Sequence, residues 1–138
     1  MGNGKISQLV EKLIIGTKSR NISWSRLLNF YYYNNNILKN YIIDNERTIY
    51  SKRSNAATIN QTRSFISQFE QGWLYIFEYN FGTSRKYYVV AIQSNLDSNI
   101  IELNTQDEIQ SNLMQIVHMI EEQIDNVDDF IDKLIDRL

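Results

Sequence analysis

Apolar residues near the start of the chain recur at helical spacing. Ile6, Leu9, Val10, Leu13 and Ile14 fall on one face at steps of three and four. The pattern predicts a helix over residues 6–18, with Gly16 near its end permitting a left-handed cap. After a short polar link come Trp24, Leu27, Leu28 and Phe30, expected to pack under that helix. From 31 to 62 the pattern loosens. YYYNNN at 31–36 carries mixed signals, and Ile37, Leu38, Tyr41 and Ile42 fit a helical turn or two. Thr48, Ile49 and Tyr50 read as a short strand, and 51–62 as a polar loop.

The period then changes to two. Residues 64–71, 73–79 and 86–93 read as strands, with a turn or bulge at Gly72 and a glycine-containing hairpin loop over 80–85. A turn at 94–98 leads to a short fourth strand at 99–103. At Thr105 the helical period returns. Thr105 and Glu108 have the spacing of a capping box, in which each side chain reaches the other residue's free N–H. Ile109, Leu113, Ile116, Ile120, Ile124, Val127, Ile131, Leu134 and Leu138 then form nearly a heptad stripe. This helix either runs unbroken to the end or restarts at Asn126 after Asp125. The prediction is one α+β domain over 1–138. It has an N-terminal helix, an antiparallel meander of about four strands and a long C-terminal helix, with the helices on one sheet face.

The stretch WLYIFEY at 73–79 complicates that picture. Alternation puts Trp73, Tyr75, Phe77 and Tyr79 on one face and Leu74 and Ile76 on the other, with Glu78 behind them. Neither face suits water, so each needs a cover. Three covers satisfy the aromatic one: residues 31–62 of the same chain, a second copy, or a planar ligand such as a nucleobase.

Composition removes several classes of function. At 43% hydrophobic and 22% charged residues the chain has material for a folded core. Without cysteine there is no disulfide, thiol catalysis or thiolate metal site, and a single histidine excludes a His-rich one. No cofactor is expected. No apolar run is long enough to cross a bilayer, and the opening lacks a signal-peptide pattern, so a cytoplasmic protein is expected. Charge is uneven. Residues 1–99 hold 12 Lys and Arg against 6 Asp and Glu, whereas 100–138 hold 2 against 10. The acidic end is either a solvated helix face or a surface for a basic partner. The abundance of Asn, Ile, Lys and Tyr, with no proline, reads as translation of AT-rich DNA.

KLIIGTKSRNISWSRL at 12–27 resembles the opening of small, mostly uncharacterised proteins of low-GC bacteria and their prophages. The resembling residues are Leu13, Ile14, Thr17, Ile22 and Trp24. The ending DDFIDKLIDRL at 128–138 resembles the ending common in that group. The resemblance implies a phage or mobile-element context and assigns no role to any residue.

Candidate chemistry is sparse. His118 lies beside the apolar stripe with no identifiable nucleophile or substrate within reach, which fits a structural or surface histidine. Asp128 and Asp132 stand one turn apart and fit a solvated face better than a cation site. Aromatic rings with nearby cations suit a small nucleotide. Trp73, Tyr75, Phe77 and Tyr88 would stack the base, and Arg63, Arg85 and Lys86 would hold phosphate. A polynucleotide would want a more basic domain. The sequence therefore suggests a non-catalytic, homo-oligomeric binding protein of phage type, in its concrete form an anti-defence protein that sequesters a host nucleotide signal. The alternative is an immunity or inhibitor module that turns its acidic C-terminal helix, through Asp128, Asp129 and Asp132, toward a basic host protein.

Overall fold

The structure of the chain, a computed structural model, describes residues 3–30, 35–52, 58–80, 86–103, 107–124 and 127–138. Helix α1 (Asn3–Lys18) buries the predicted stripe through Ile6, Val10 and Leu13. Its left-handed residue is Arg20, with φ of 63°, rather than Gly16. Gly16 lies inside the helix for a different reason. The chain folds back so that the Ile22 side chain lies 2.5 Å from where a Cβ on Gly16 would stand, and the Ile22 amide donates to the Gly16 carbonyl. The buried indole of Trp24 then donates to the Thr17 hydroxyl at 3.0 Å, locking the end of α1 to the chain that follows.

The chain continues through β1 (Ser25–Arg26), α2 (Leu27–Phe30), α3 (Asn36–Lys52) and β2 (Thr58–Ile59). A 3-10 turn at Gln61–Arg63 leads into β3 (Phe65–Phe69), β4 (Gly72–Asn80), β5 (Lys86–Gln93) and β6 (Ile101–Glu102). Helices α4 (Asp107–Ile124) and α5 (Val127–Arg137) end the chain. Two expectations are corrected here. Positions 48–50 belong to α3 rather than to a strand, and the antiparallel sheet has six strands rather than about four. The two extra strands are two-residue pairings, too short to alternate visibly. They exist because longer neighbours leave edges open. β3 pairs with β4 only from Gly72 to Ile76, and β2 takes up the same edge further on, opposite Tyr79 and Asn80. β1 pairs with the outer edge of β3, and β6 with that of β5.

The sheet is covered on both faces. Phe65, Ile76, Tyr88 and Val90 pack with α1 and with Ile109, Leu113, Ile116 and Ile120 of α4. On the other face Ile66, Tyr75, Phe77 and Ala91 pack with Leu27 and with Leu38 and Ile42 of α3. The aromatic face of β4 is thus closed by the chain's own third helix. Tyr75 and Phe77 stack at 5.2 Å between centroids, and Tyr41 of α3 stacks on Phe77 at 5.3 Å. Helix α1 and α4, the first part of the predicted C-terminal helix, share one sheet face, and a third helix, α3, occupies the other.

The β3–β4 hairpin turns through Glu70 and Gln71, with Phe69 paired to Gly72. Glu70 has φ of 54°. Positive φ at the first position of a two-residue loop is where glycine is favoured, because a Cβ there crowds the backbone. Glu70→Gly is expected to stabilise the chain by about 0.5–1 kcal/mol, the relief of left-handed strain less the entropy glycine adds to the unfolded chain. A thermal melt checks this, and an unchanged or lower Tm would show that the turn is unstrained.

Candidate functional site

The residues expected to form one nucleotide site are divided by the sheet. Tyr75 and Phe77 are fully buried on the α3 face and offer no ring surface to a base. Trp73, on the same face, is half-buried. Tyr88 lies on the opposite face, where it is cross-strand neighbour to Glu78. Lys86 is exposed at the start of β5, and Arg85 lies outside the described residues. Of the seven, Tyr75 and Phe77 stack on each other beneath α3, and Arg63 and Tyr88 meet on the other face, both turned toward Glu78.

Glu78 is fully buried within the sheet. Its carboxylate accepts from the Tyr88 hydroxyl at 2.8 Å, from Arg63 Nε at 3.1 Å and from Asn60 Nδ2 at 3.2 Å. Its backbone amide donates to Ser64 Oγ at 2.9 Å. A buried carboxylate requires this many partners, since removing it from water is expensive otherwise. Arg63 also lies 3.6 Å from Glu121 of α4, which pairs with Arg26 of β1 at 3.1 Å. Arg26 donates in addition to the Thr62 carbonyl and covers the Phe65 ring. Two carboxylates and two guanidiniums thus alternate across β1, the 3-10 turn, β4 and α4. Sequence reading missed Glu78, Arg26 and Glu121. Glu78 was legible only as a charge out of place on an apolar face, and its partners are distant in sequence.

The environment sets the titration of these groups. The hydrogen bond and charge of Arg26 hold Glu121 below the usual carboxylate range, partly offset by burial. Burial, then the bond to Glu78, pushes the Tyr88 hydroxyl up to about 12. Across the sheet, burial also raises Tyr75, opposed by its bond from Asn35. Tyr75, Asn35 and Gln93 satisfy one another in a buried polar cluster. Tyr79 is raised by burial and by its bond to Glu102, which also accepts from Tyr41. Each of these polar groups is held by other protein groups, so the clusters read as structural. His118 is exposed and pairs with Glu122 at 3.1 Å on α4. Among the described residues no group of three or more His, Asp or Glu could hold a metal, and no helix is long and apolar enough to cross a membrane.

Two open features remain. An apolar groove of about 1150 Å³ lies between α1 and the hairpin end of the sheet, walled by Leu9, Leu13, Ile22, Leu74 and Ile92, with Phe69 at its lip. The second is α5, where every residue from Phe130 to Leu138 is exposed. Phe130 is 62%, Ile135 69% and Leu138 101% exposed, and Ile131 and Leu134 are also in solvent. Among the described residues, no part of the chain covers this apolar face of α5. No family model, curated protein or solved structure matches the chain.

Arg63→Met would leave Glu78 buried with neutral donors only. The expected loss is about 3 kcal/mol, the low end for breaking a buried pair because Arg63 is 38% exposed, and roughly 10 °C in Tm. A melt within 2 °C or so of wild type, the scale of a surface change, would show that the pair contributes little. Glu121 supplies a pH test. Its folded pKa is depressed, so its contribution is present above the unfolded carboxylate pKa and is lost as pH falls through the lower folded value. The Tm gap between wild type and Glu121→Gln should therefore be widest near about pH 7 and close toward about pH 3. A gap independent of pH would contradict this account of Glu121.

Proposed function

We propose that the chain is a non-catalytic protein-docking module whose contact element is α5. The observation that carries this reading is the exposed apolar face of that helix. Phe130, Ile131, Leu134, Ile135 and Leu138 gather on one side, while Asp132, Lys133 and Asp136 occupy the other. A helix with apolar residues at such steps is the standard element by which one protein enters a groove of another or pairs with its helix. The α+β body serves as the rigid support, with both sheet faces occupied. The phage-type context implied by the chain ends is compatible with an accessory protein that works by binding. A nucleotide-sequestering site on β4 has less support, because Tyr75 and Phe77 lie under α3, Tyr88 is on the opposite face and Arg63 is held by Glu78.

The reading separates from one based on acidic charge. An apolar contact persists as salt rises, whereas a contact carried by aspartates weakens with screening. Native mass spectrometry of the full chain tests it. Wild type should carry a stoichiometric protein mass, and the double variant Ile131→Asp, Leu134→Asp should be bare while keeping its Tm, since both side chains face solvent in the isolated chain. A bare wild type, or an assembly that survives the double substitution, would sink the reading.

A further inference from the structure

We infer that the groove beside α1 binds a free, single-chain amphiphile with a carboxylate head, such as a fatty acid. The site lies apart from α5 and does not depend on the docking reading. Its floor is a row of cross-strand neighbours. Ser67 of β3 pairs with Leu74 of β4, Leu74 with Ile92 of β5, and Ile92 with Ile101 of β6. Directly opposed side chains share a face, and this is the face on which α1 packs further along the sheet. At three strand spacings the row is about 14 Å long. Leu74 and Ile92 are half-buried, and Ile101 is 57% exposed. Leu9 and Leu13 of α1, with Ile22 after it, add an apolar wall. The shape is that of an elongated ligand lying across the strands.

Two polar groups in this apolar setting indicate what the ligand carries. Ser67 is 7% exposed, and its hydroxyl has no hydrogen-bond partner among the described residues. Buried hydroxyls are nearly always bonded. Its neighbour Ile66 packs under α3, so alternation turns Ser67 the other way, into the groove. Lys12 stands on the α1 wall, exposed and with no ion pair among the described residues. The one acid among the described lining residues, Glu70, is on the hairpin turn, across the groove from α1. These charges seat an anionic head at the α1 side, with Lys12 as its counter-ion and Ser67 donating a hydrogen bond to it. The rest of the ligand must be apolar. A peptide would bring an N–H and a C=O with every residue, and Leu9, Leu13, Ile22, Leu74 and Ile92 would leave them unpaired. A hydrocarbon tail has no such groups and gains from the same surface.

Calorimetric titration of the full chain with octanoate, dodecanoate and dodecyltrimethylammonium tests this. Dodecanoate should bind saturably, one per chain, and about tenfold or more tighter than octanoate, because each buried methylene adds to the affinity. It should also bind tighter than dodecyltrimethylammonium, which has the same tail and the opposite charge. Lys12→Glu, a change in solvent that leaves the fold intact, should reverse that preference. Ser67→Ala should weaken dodecanoate severalfold without lowering Tm, since no described residue bonds the hydroxyl. No saturable binding of dodecanoate, or equal binding of the two dodecyl probes, would overturn the inference. So would an unchanged dodecanoate affinity in Lys12→Glu or Ser67→Ala. Binding to phosphatidylglycerol vesicles by a chain that ignores dissolved dodecanoate would overturn it in favour of a membrane surface. None of these results bears on α5, so the docking reading stands or falls separately.

Discussion

Strand β4 alternates Trp73, Tyr75, Phe77 and Tyr79 with Leu74 and Ile76, and the rest of the molecule is arranged to keep both sets from water. Burial of large aromatic and aliphatic side chains is the main favourable term in folding, and a strand with two such sets gains it only when covered twice. Helices α1 and α4 supply one cover and α3 the other. The result is a three-layer arrangement with the sheet in the middle. The polar groups of the buried layers are then forced to find partners inside the protein. Asn35 with Tyr75 and Gln93 on one face, and Glu78 with Tyr88 and Arg63 on the other, are consequences of that double burial.

Glu78 also protects the register. A slip of one residue in β4 would carry its carboxylate to the α3 face, against Leu27, Leu38 and Ile42, and away from Arg63. A buried ion pair adds little net stability over an apolar pair of similar shape, but an unpaired buried carboxylate is heavily penalised. The network therefore discriminates against wrong pairings more than it deepens the native well. Its second half, Arg26 with Glu121, ties the edge strand β1 to α4, two elements far apart in the chain.

With the centre of both sheet faces closed, the open apolar surface among the described residues lies at the periphery, in the groove beside Leu74 and Ile92 and on α5. That shifts attention from the aromatic strand, which looks most like a binding surface in the sequence, to a helix whose pattern looks like ordinary core. Exposure of a contiguous apolar face is what marks an interaction surface in a folded chain. The apolar residues of the two helices differ in fate: in α4 they close the domain, and in α5 they are left exposed.

Local pattern alone determined the amphipathic α1, the period-two strands β3 to β5 and the stripe of α4 and α5, because each is set by spacing of a few residues. It also determined that β4 needed two covers. Tertiary structure decided what supplied them. The helix α3 spans a segment whose pattern was ambiguous, and it forms because Leu38, Ile42 and Tyr41 find the aromatic face to pack against. The short strands β1 and β2 exist only because edges of β3 and β4 were open to pair. Arg63 and Tyr88 were legible as polar groups near aromatic rings, but their common partner Glu78, and the separation of Tyr88 from Tyr75 by the sheet, depend on pairing across strands. Whether a heptad stripe is core or contact surface likewise depends on what lies beneath it, and spacing carries no record of that.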